Sequence, residues 1–169
     1  VTWDWETFPE YMDAADARGS GLNLGFLAPL TPFRHYVMGE ESMERAATED
    51  EKGSIKGLLQ EAMEAGAFGF TTTNTKQHVG YQGRPLACRM ASEDELRAYC
   101  NVLRDMGRGT IELALTNEVS KVDESERALL DLLLTESQRP VTWLALLNRD
   151  DKPDACQNTL IEVADLIER

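Results

Sequence analysis

Thr48-Glu49-Asp50-Glu51, with Ile55, Leu58, Leu59, Ala62 and Met63 behind it, then Gly66 and Ala67-Phe68-Gly69-Phe70-Thr71-Thr72, is the stretch whose reading decides the fold. Thr48 with Glu51 three residues on is a capping box, in which a hydroxyl and a carboxylate satisfy N–H groups that a helix leaves free at its start. The apolar positions that follow share one helical face, and Gly66 is placed to end the helix. Residues Ala67 to Thr72 are too few for a helix and are mostly apolar or β-branched, which predicts a strand buried on both faces. A one-sided helix running straight into a buried strand is the signature of a parallel β/α unit.

The pattern repeats in both directions. Upstream, Thr7-Phe8-Pro9-Glu10 is a second capping box, with Phe8, Tyr11, Met12 and Ala15 on one face and a stop before Gly19. Leu22 to Ala28 then reads as a strand halted by Pro29. Downstream, a polar stretch from Thr73 to Ala91 is too long for a mere connector. Ser92-Glu93-Asp94-Glu95 opens a helix facing inward through Leu96, Tyr99, Cys100 and Leu103, which ends at Gly107 and Gly109. Strand Ile111–Leu115, helix Asp123–Gln138 and strand Val141–Leu147 follow; Asp154 is placed to cap a last helix with Cys156, Leu160, Val163 and Ile167 inward. Four strands thus alternate with five helices.

Such alternation implies a parallel sheet with right-handed crossovers, either an open doubly wound sheet or a closed (β/α)8 barrel. A doubly wound nucleotide binder carries a glycine-rich turn, and neither GxGxxG nor GxxxxGK[ST] occurs here. The barrel is favoured. A barrel takes eight strands and about 250 residues, and 169 residues supply about half of one. The expectation is an α/β fold, a partial (β/α)8 TIM barrel of about four consecutive parallel β/α units spanning residues 1–169. Val1 in place of Met, and an unfinished helix at Arg169, read as ends cut from a longer chain.

Composition narrows the function. A hydrophobic content of 42% is enough to build a core. With 17 basic against 30 acidic side chains, the charge of −13 opposes nucleic acid and anionic membrane as partners. No apolar run approaches the roughly 20 residues of a membrane span. The three cysteines, Cys88, Cys100 and Cys156, have no CxxC spacing, so a reducing, cytoplasmic setting is expected.

In either parallel fold, chemistry sits on the loops that follow the strands. Those loops offer Thr31, Arg34 and His35; Thr72, Thr73, Asn74, His78 and Arg84; Thr116, Asn117 and Glu118; and Asn148, Arg149 and Asp150. The two histidines, His35 and His78, lack metal-ligand spacing. Arg34 and Arg84 have the bidentate fork that holds a carboxylate, against the ordinary role of structural arginines. Glu112 inside an apolar strand is more informative, because a buried carboxylate requires a partner or loses its charge. Glu112, His78, Arg34, Arg84 and Asn148 are the candidate site-lining residues. Glu112 is the sole candidate metal ligand, and no complete ligand set is visible.

Several stretches resemble one family. Trp5-Glu6-x-Phe8-Pro9-Glu10-Tyr11, Asn23 to Leu27, Arg34-x-x-Val37-Met38-Gly39, Ala46-Ala47-Thr48, Glu61-Ala62-x-x-Ala65-Gly66-Ala67-x-Gly69-Phe70-Thr71-Thr72 and Gly83-Arg84-Pro85-Leu86-x-x-Arg89 resemble, in order, the middle of the N-acyl-D-amino-acid deacylases of the amidohydrolase superfamily. The likeness runs from residue 3 to 110. Beyond that it persists in the strand-helix layout and in Arg139-Pro140-Val141-Thr142.

The resemblance implies a distorted (β/α)8 barrel that hydrolyses an amide with metal-activated water, this chain supplying the third to sixth strands. It implies zinc or another divalent metal in the complete parent, a small-molecule amide substrate, and an HxH pair, a cysteine ligand and a catalytic aspartate outside this segment. Members of the family also carry metal-binding histidines at the ends of the fifth and sixth strands. Here those strands read Thr110-Ile111-Glu112-Leu113-Ala114-Leu115 and Val141-Thr142-Trp143-Leu144-Ala145-Leu146-Leu147, without histidine, and another such position reads Pro29-Leu30. Three readings follow. The first is a segment of a metal-dependent amidohydrolase, inactive alone and completed by the remainder of the barrel; the second is a catalytically silent barrel relative kept for binding or assembly; the third is a small α/β domain that binds ligand without chemistry. Open strand edges predict self-association of the isolated segment.

Overall fold

A computed structural model describes residues 3–118 and 121–168. Four parallel strands, β1 (Ala28–Pro29), β2 (Gly69–Thr73), β3 (Thr110–Ala114) and β4 (Val141–Leu144), form one sheet in chain order. Sequential order with a helix between neighbours is the arrangement of a barrel wall, so the chain is a partial (β/α)8 structure. Seven α-helices lie among the described residues: α1 (Phe8–Ala17), α2 (Leu30–Met38), α3 (Glu49–Glu64), α4 (Glu93–Met106), α5 (Glu124–Ser137), α6 (Ala155–Glu162) and α7 (Ala164–Ile167). None is long and apolar enough to cross a membrane.

Helix starts follow local sequence. Thr7, Thr48, Ser92 and Asp123 each accept the N–H three residues on, and Glu10, Glu51, Glu95 and Glu126 each return a carboxylate to the cap. Each such cap stabilises its helix by about 1 kcal/mol. Helices α3, α4 and α5 pack side by side. Their inward residues Ile55, Leu59, Met63, Tyr99, Leu103 and Leu133 join Phe70, Ile111, Leu113 and Leu115 from the sheet, all fully buried. Gly69, at φ +140°, brings β2 against β3 so closely that a Cβ would meet the Thr110 backbone oxygen at 1.7 Å, so only glycine fits.

The structure differs from the sequence reading at both ends of the chain and at Phe68, which is exposed ahead of β2; Leu160 and Ile167, expected inward, are exposed. The first strand is confined to Ala28–Pro29, and Leu22 and Leu24 are exposed rather than buried. The segment after it is a helix, α2, with Leu30, Phe33, Arg34 and Met38 inward; Pro32 lies in its first turn, where a missing N–H costs nothing. At the far end β4 stops at Leu144, Asp154 makes no side-chain cap, and the last helix breaks at Val163 into α6 and α7.

Candidate functional site

Alternation along a strand sends successive side chains to opposite faces. Phe70, Ile111 and Leu113 are buried beneath α3, α4 and α5. The residues between them point the other way. On that second face Thr71, Glu112 and Thr142 stand in one cross-strand row, and Thr73, Ala114 and Leu144 form the next row toward the strand ends. Glu112 is partly buried, and Leu144 is 49% exposed.

The strand-end loops close over this face at one side. The His78 ring nitrogen Nδ1 lies 3.0 Å from Thr73 Oγ1, and Thr73 Oγ1 donates to Ala114 O at 3.3 Å. His78 itself is exposed. Asn117 ties two loops together. Its Oδ1 accepts the Lys76 N–H at 2.7 Å, while its own N–H and Nδ2 donate to Glu126 Oε1 at 2.8 and 2.9 Å. Glu126 is buried and also closes the α5 capping box, so the cap that starts α5 fixes the loop that follows β2.

Arg34 and Arg84, the two candidate carboxylate forks, are both occupied within the chain. Arg34 is fully buried: Nε donates to Ala87 O at 2.8 Å, Nη2 to Arg45 O at 2.9 Å, and Nη1 to Glu95. Glu95 is itself buried and accepts from Ala47 N, Ser92 N and the Tyr99 hydroxyl at 2.9–3.0 Å. Burial, opposed by neighbouring groups, holds the Arg34 pKa below its ordinary value. This arginine therefore anchors α2 to α4 and has no open fork for a ligand. Arg84 pairs with Glu40 and Glu44, pinning the long loop to the 3-10 turn at Gly39–Met43.

Asn148 is exposed, and its Oδ1 accepts the Cys156 N–H at 3.0 Å, which gives α6 the cap that Asp154 does not supply. His35 sits on α2 with Nδ1 3.3 Å from Ser42 Oγ, so the two histidines have separate partners. The three thiols are free, and burial pushes Cys100 up to about 12, which removes it as a nucleophile. Of the five candidates, Glu112 and His78 remain beside the second face. Thr71 and Thr73 share one strand parity, which the sequence shows, but their place on the same face as Glu112 depends on the register between β2 and β3.

No family model matches the chain. Over 71 residues, 42% of this chain and 14% of the relative, it is 32% identical to a D-aminoacylase of Alcaligenes xylosoxydans xylosoxydans. The fold superposes on a solved D-aminoacylase with a binuclear metal centre at a TM-score of 0.72 and 21% identity, covering 96% of this chain and 32% of that one. The chain is similar to the D-aminoacylases in sequence and in fold. A solved N-acyl-D-glutamate deacylase of Bordetella bronchiseptica, in complex with zinc and a phosphonate inhibitor, gives a TM-score of 0.70 at 23% identity over the same shares. The chain therefore spans about a third of the length of the solved D-aminoacylase-type structures it matches.

The D-aminoacylase neighbours hold metal, and the residues described here do not supply a site for it. Among them there is no group of three or more His, Cys, Asp or Glu side chains placed to share an ion. A catalytic zinc takes three protein ligands and an open position, and the second face offers one carboxylate between two threonines.

Proposed function

We propose that this chain is the sheet segment of a metal-dependent amidohydrolase that cleaves the C–N bond of an N-acyl amino acid or a similar small amide. The observation that carries the reading is the coincidence of 32% identity to a D-aminoacylase with a D-aminoacylase-like fold over 96% of the chain. Zinc or another divalent ion, with its ligands, would come from outside the described residues. This segment would contribute the wall bearing Thr71, Glu112 and Thr142 and the loop bearing His78. Three free thiols fit a reducing compartment, and the cytoplasm is the proposed location.

A second reading, a barrel relative kept for binding or assembly, is favoured by the want of histidine on β3 and β4. One experiment divides the two. The complete protein, prepared metal-replete, is analysed for bound metal and assayed for release of free amino acid from a panel of N-acetyl amino acids. Stoichiometric metal with turnover supports the hydrolase; neither metal nor turnover supports the silent relative. The proposed self-association of the isolated segment is tested by sedimentation, where a stable monomer would refute it.

A further inference from the structure

We propose that the cavity between α2, the 3-10 turn and the long loop is a binding site for a small neutral carboxamide, whose N–H donates to His35 and whose carbonyl accepts from Thr31. The cavity has a volume of about 280 Å³, close to the lower end for small-molecule sites. Its walls all belong to this chain: Thr31 and His35 come from α2, Met43 from the 3-10 turn, and Pro85, Leu86 and Ala87 from the long loop. It lies at the strand-end side of the sheet, since α2 follows β1 and the long loop follows β2.

Hydrogen bonds within the chain settle which atoms are offered. Ser42 is fully buried and its Oγ donates to Gly39 O at 2.6 Å, so the one proton of that hydroxyl is spent. His35 Nδ1, 3.3 Å from the same oxygen, must therefore be the donor, and Nε2 carries the lone pair. Thr31 Oγ1 accepts the Cys88 N–H at 3.4 Å, which leaves its own proton for another acceptor. Thr31 and His35 are four residues apart on α2 and share a face, one turn or about 5.4 Å along the helix. One wall thus presents an acceptor beside a donor, and the wall of Met43, Pro85 and Leu86 is apolar.

A carboxamide on an apolar body matches this pattern, because it carries a donor and an acceptor side by side. Charged ligands match it less well. A carboxylate has acceptors alone and would face the Nε2 lone pair, while the Arg84 guanidinium at the cavity is held by Glu40 and Glu44. An ammonium group has donors alone and leaves the Thr31 hydroxyl without an acceptor. The amide edge is one that the small amides proposed above offer, yet the hydrogen bonds that define the site do not depend on turnover.

The test uses benzamide, acetophenone and benzoate, alike in size, on the complete protein, with affinities read by ligand-observed NMR at pH 8. Benzamide is expected to bind about three- to tenfold more tightly than acetophenone, which lacks the N–H, the scale of one hydrogen bond. Benzoate is expected to bind most weakly. His35 is exposed, so its substitutions leave the core intact. His35→Phe is expected to erase the preference for benzamide over acetophenone, and His35→Gln, which restores an acceptor, to keep part of it. Thr31→Val is expected to weaken both probes alike, because both present a carbonyl, and to leave their ratio unchanged. Three results would overturn the proposal: equal affinity for benzamide and acetophenone, a preference that survives His35→Phe, or benzoate binding most tightly. A protein that prefers benzamide but releases no amino acid from N-acetyl amino acids keeps this site and loses the hydrolase reading. One that hydrolyses them while failing to bind benzamide does the reverse.

Discussion

The part of the sheet built from β2 and β3 and the part ended by β4 come from the same strand-helix unit, yet they are held in different ways. Around β2 and β3 every inward position is closed: Phe70, Ile111, Leu113 and Leu115 are fully buried, and so are the helix residues against them. Beneath that layer, Arg34, Glu95 and Tyr99 form a buried polar knot joining α2, the 3-10 turn and α4. Around β4, by contrast, the strand alternates half-buried and exposed residues, and Leu144, Leu146, Leu147, Leu160, Ile161 and Ile167 face solvent. The difference teaches that one repeating pattern specifies the elements, whereas neighbours on both sides are needed to specify the packing. Among the described residues β3 has neighbours on both sides, and β4 has one.

The comparison is attacked most directly at the knot. Glu95→Ala removes the partner of a fully buried guanidinium and three further hydrogen bonds. Breaking a buried pair from one side costs about 3–5 kcal/mol, because the remaining charge stays buried without compensation. The double variant Arg34→Met with Glu95→Ala is expected to lose less than the sum of the two single variants. Urea unfolding of the four proteins checks this, and additive losses would mean that the pair is not coupled.

A smaller effect is expected at the rim of the same region. Arg45, with the Thr48 N–H, holds the Glu51 carboxyl at about 2, against an ordinary value of 4.5. Because the folded-state value lies below the unfolded one, the stabilisation is fully present above about pH 4.5 and is lost as pH falls through about 2. Glu51→Gln is therefore expected to flatten the acid limb of the stability curve while lowering stability at neutral pH. An acid limb identical to that of the wild-type protein would remove Arg45 and Glu51 from the account.

Helix starts were legible because a cap is local. Thr7, Thr48 and Ser92 each announce a helix by the glutamate three residues on, and all three helices begin where that spacing places them. Helix α2 escaped because Pro29 reads as the end of a strand and because the inward face of the helix includes an arginine. The partners that make Arg34 an inward residue lie 53 and 61 positions away, at Ala87 and Glu95, and no short-range pattern connects them. The same limit applies at the candidate site. Glu112 stands out as a carboxylate among apolar neighbours, but its company with Thr71 and Thr142 depends on register between strands. Asn148, read as a loop residue able to reach a ligand, instead takes the capping role assigned to Asp154.

The smallest expected effect tests the loosely packed end. Ile161 is 68% exposed on α6, and the helix around it buries Ala155 and Thr159 instead. Replacing a solvent-facing apolar side chain away from any cap or ion pair changes stability by about 0.5 kcal/mol or less. Ile161→Thr is therefore expected to leave urea unfolding of the complete protein nearly unchanged, where Ile55→Ala on α3, a fully buried position, is expected to cost about 2–5 kcal/mol. A loss of that larger size at Ile161 would show that another part of the complete protein covers α6. The contrast between the two ends of the sheet would then belong to this segment alone and not to the assembled fold.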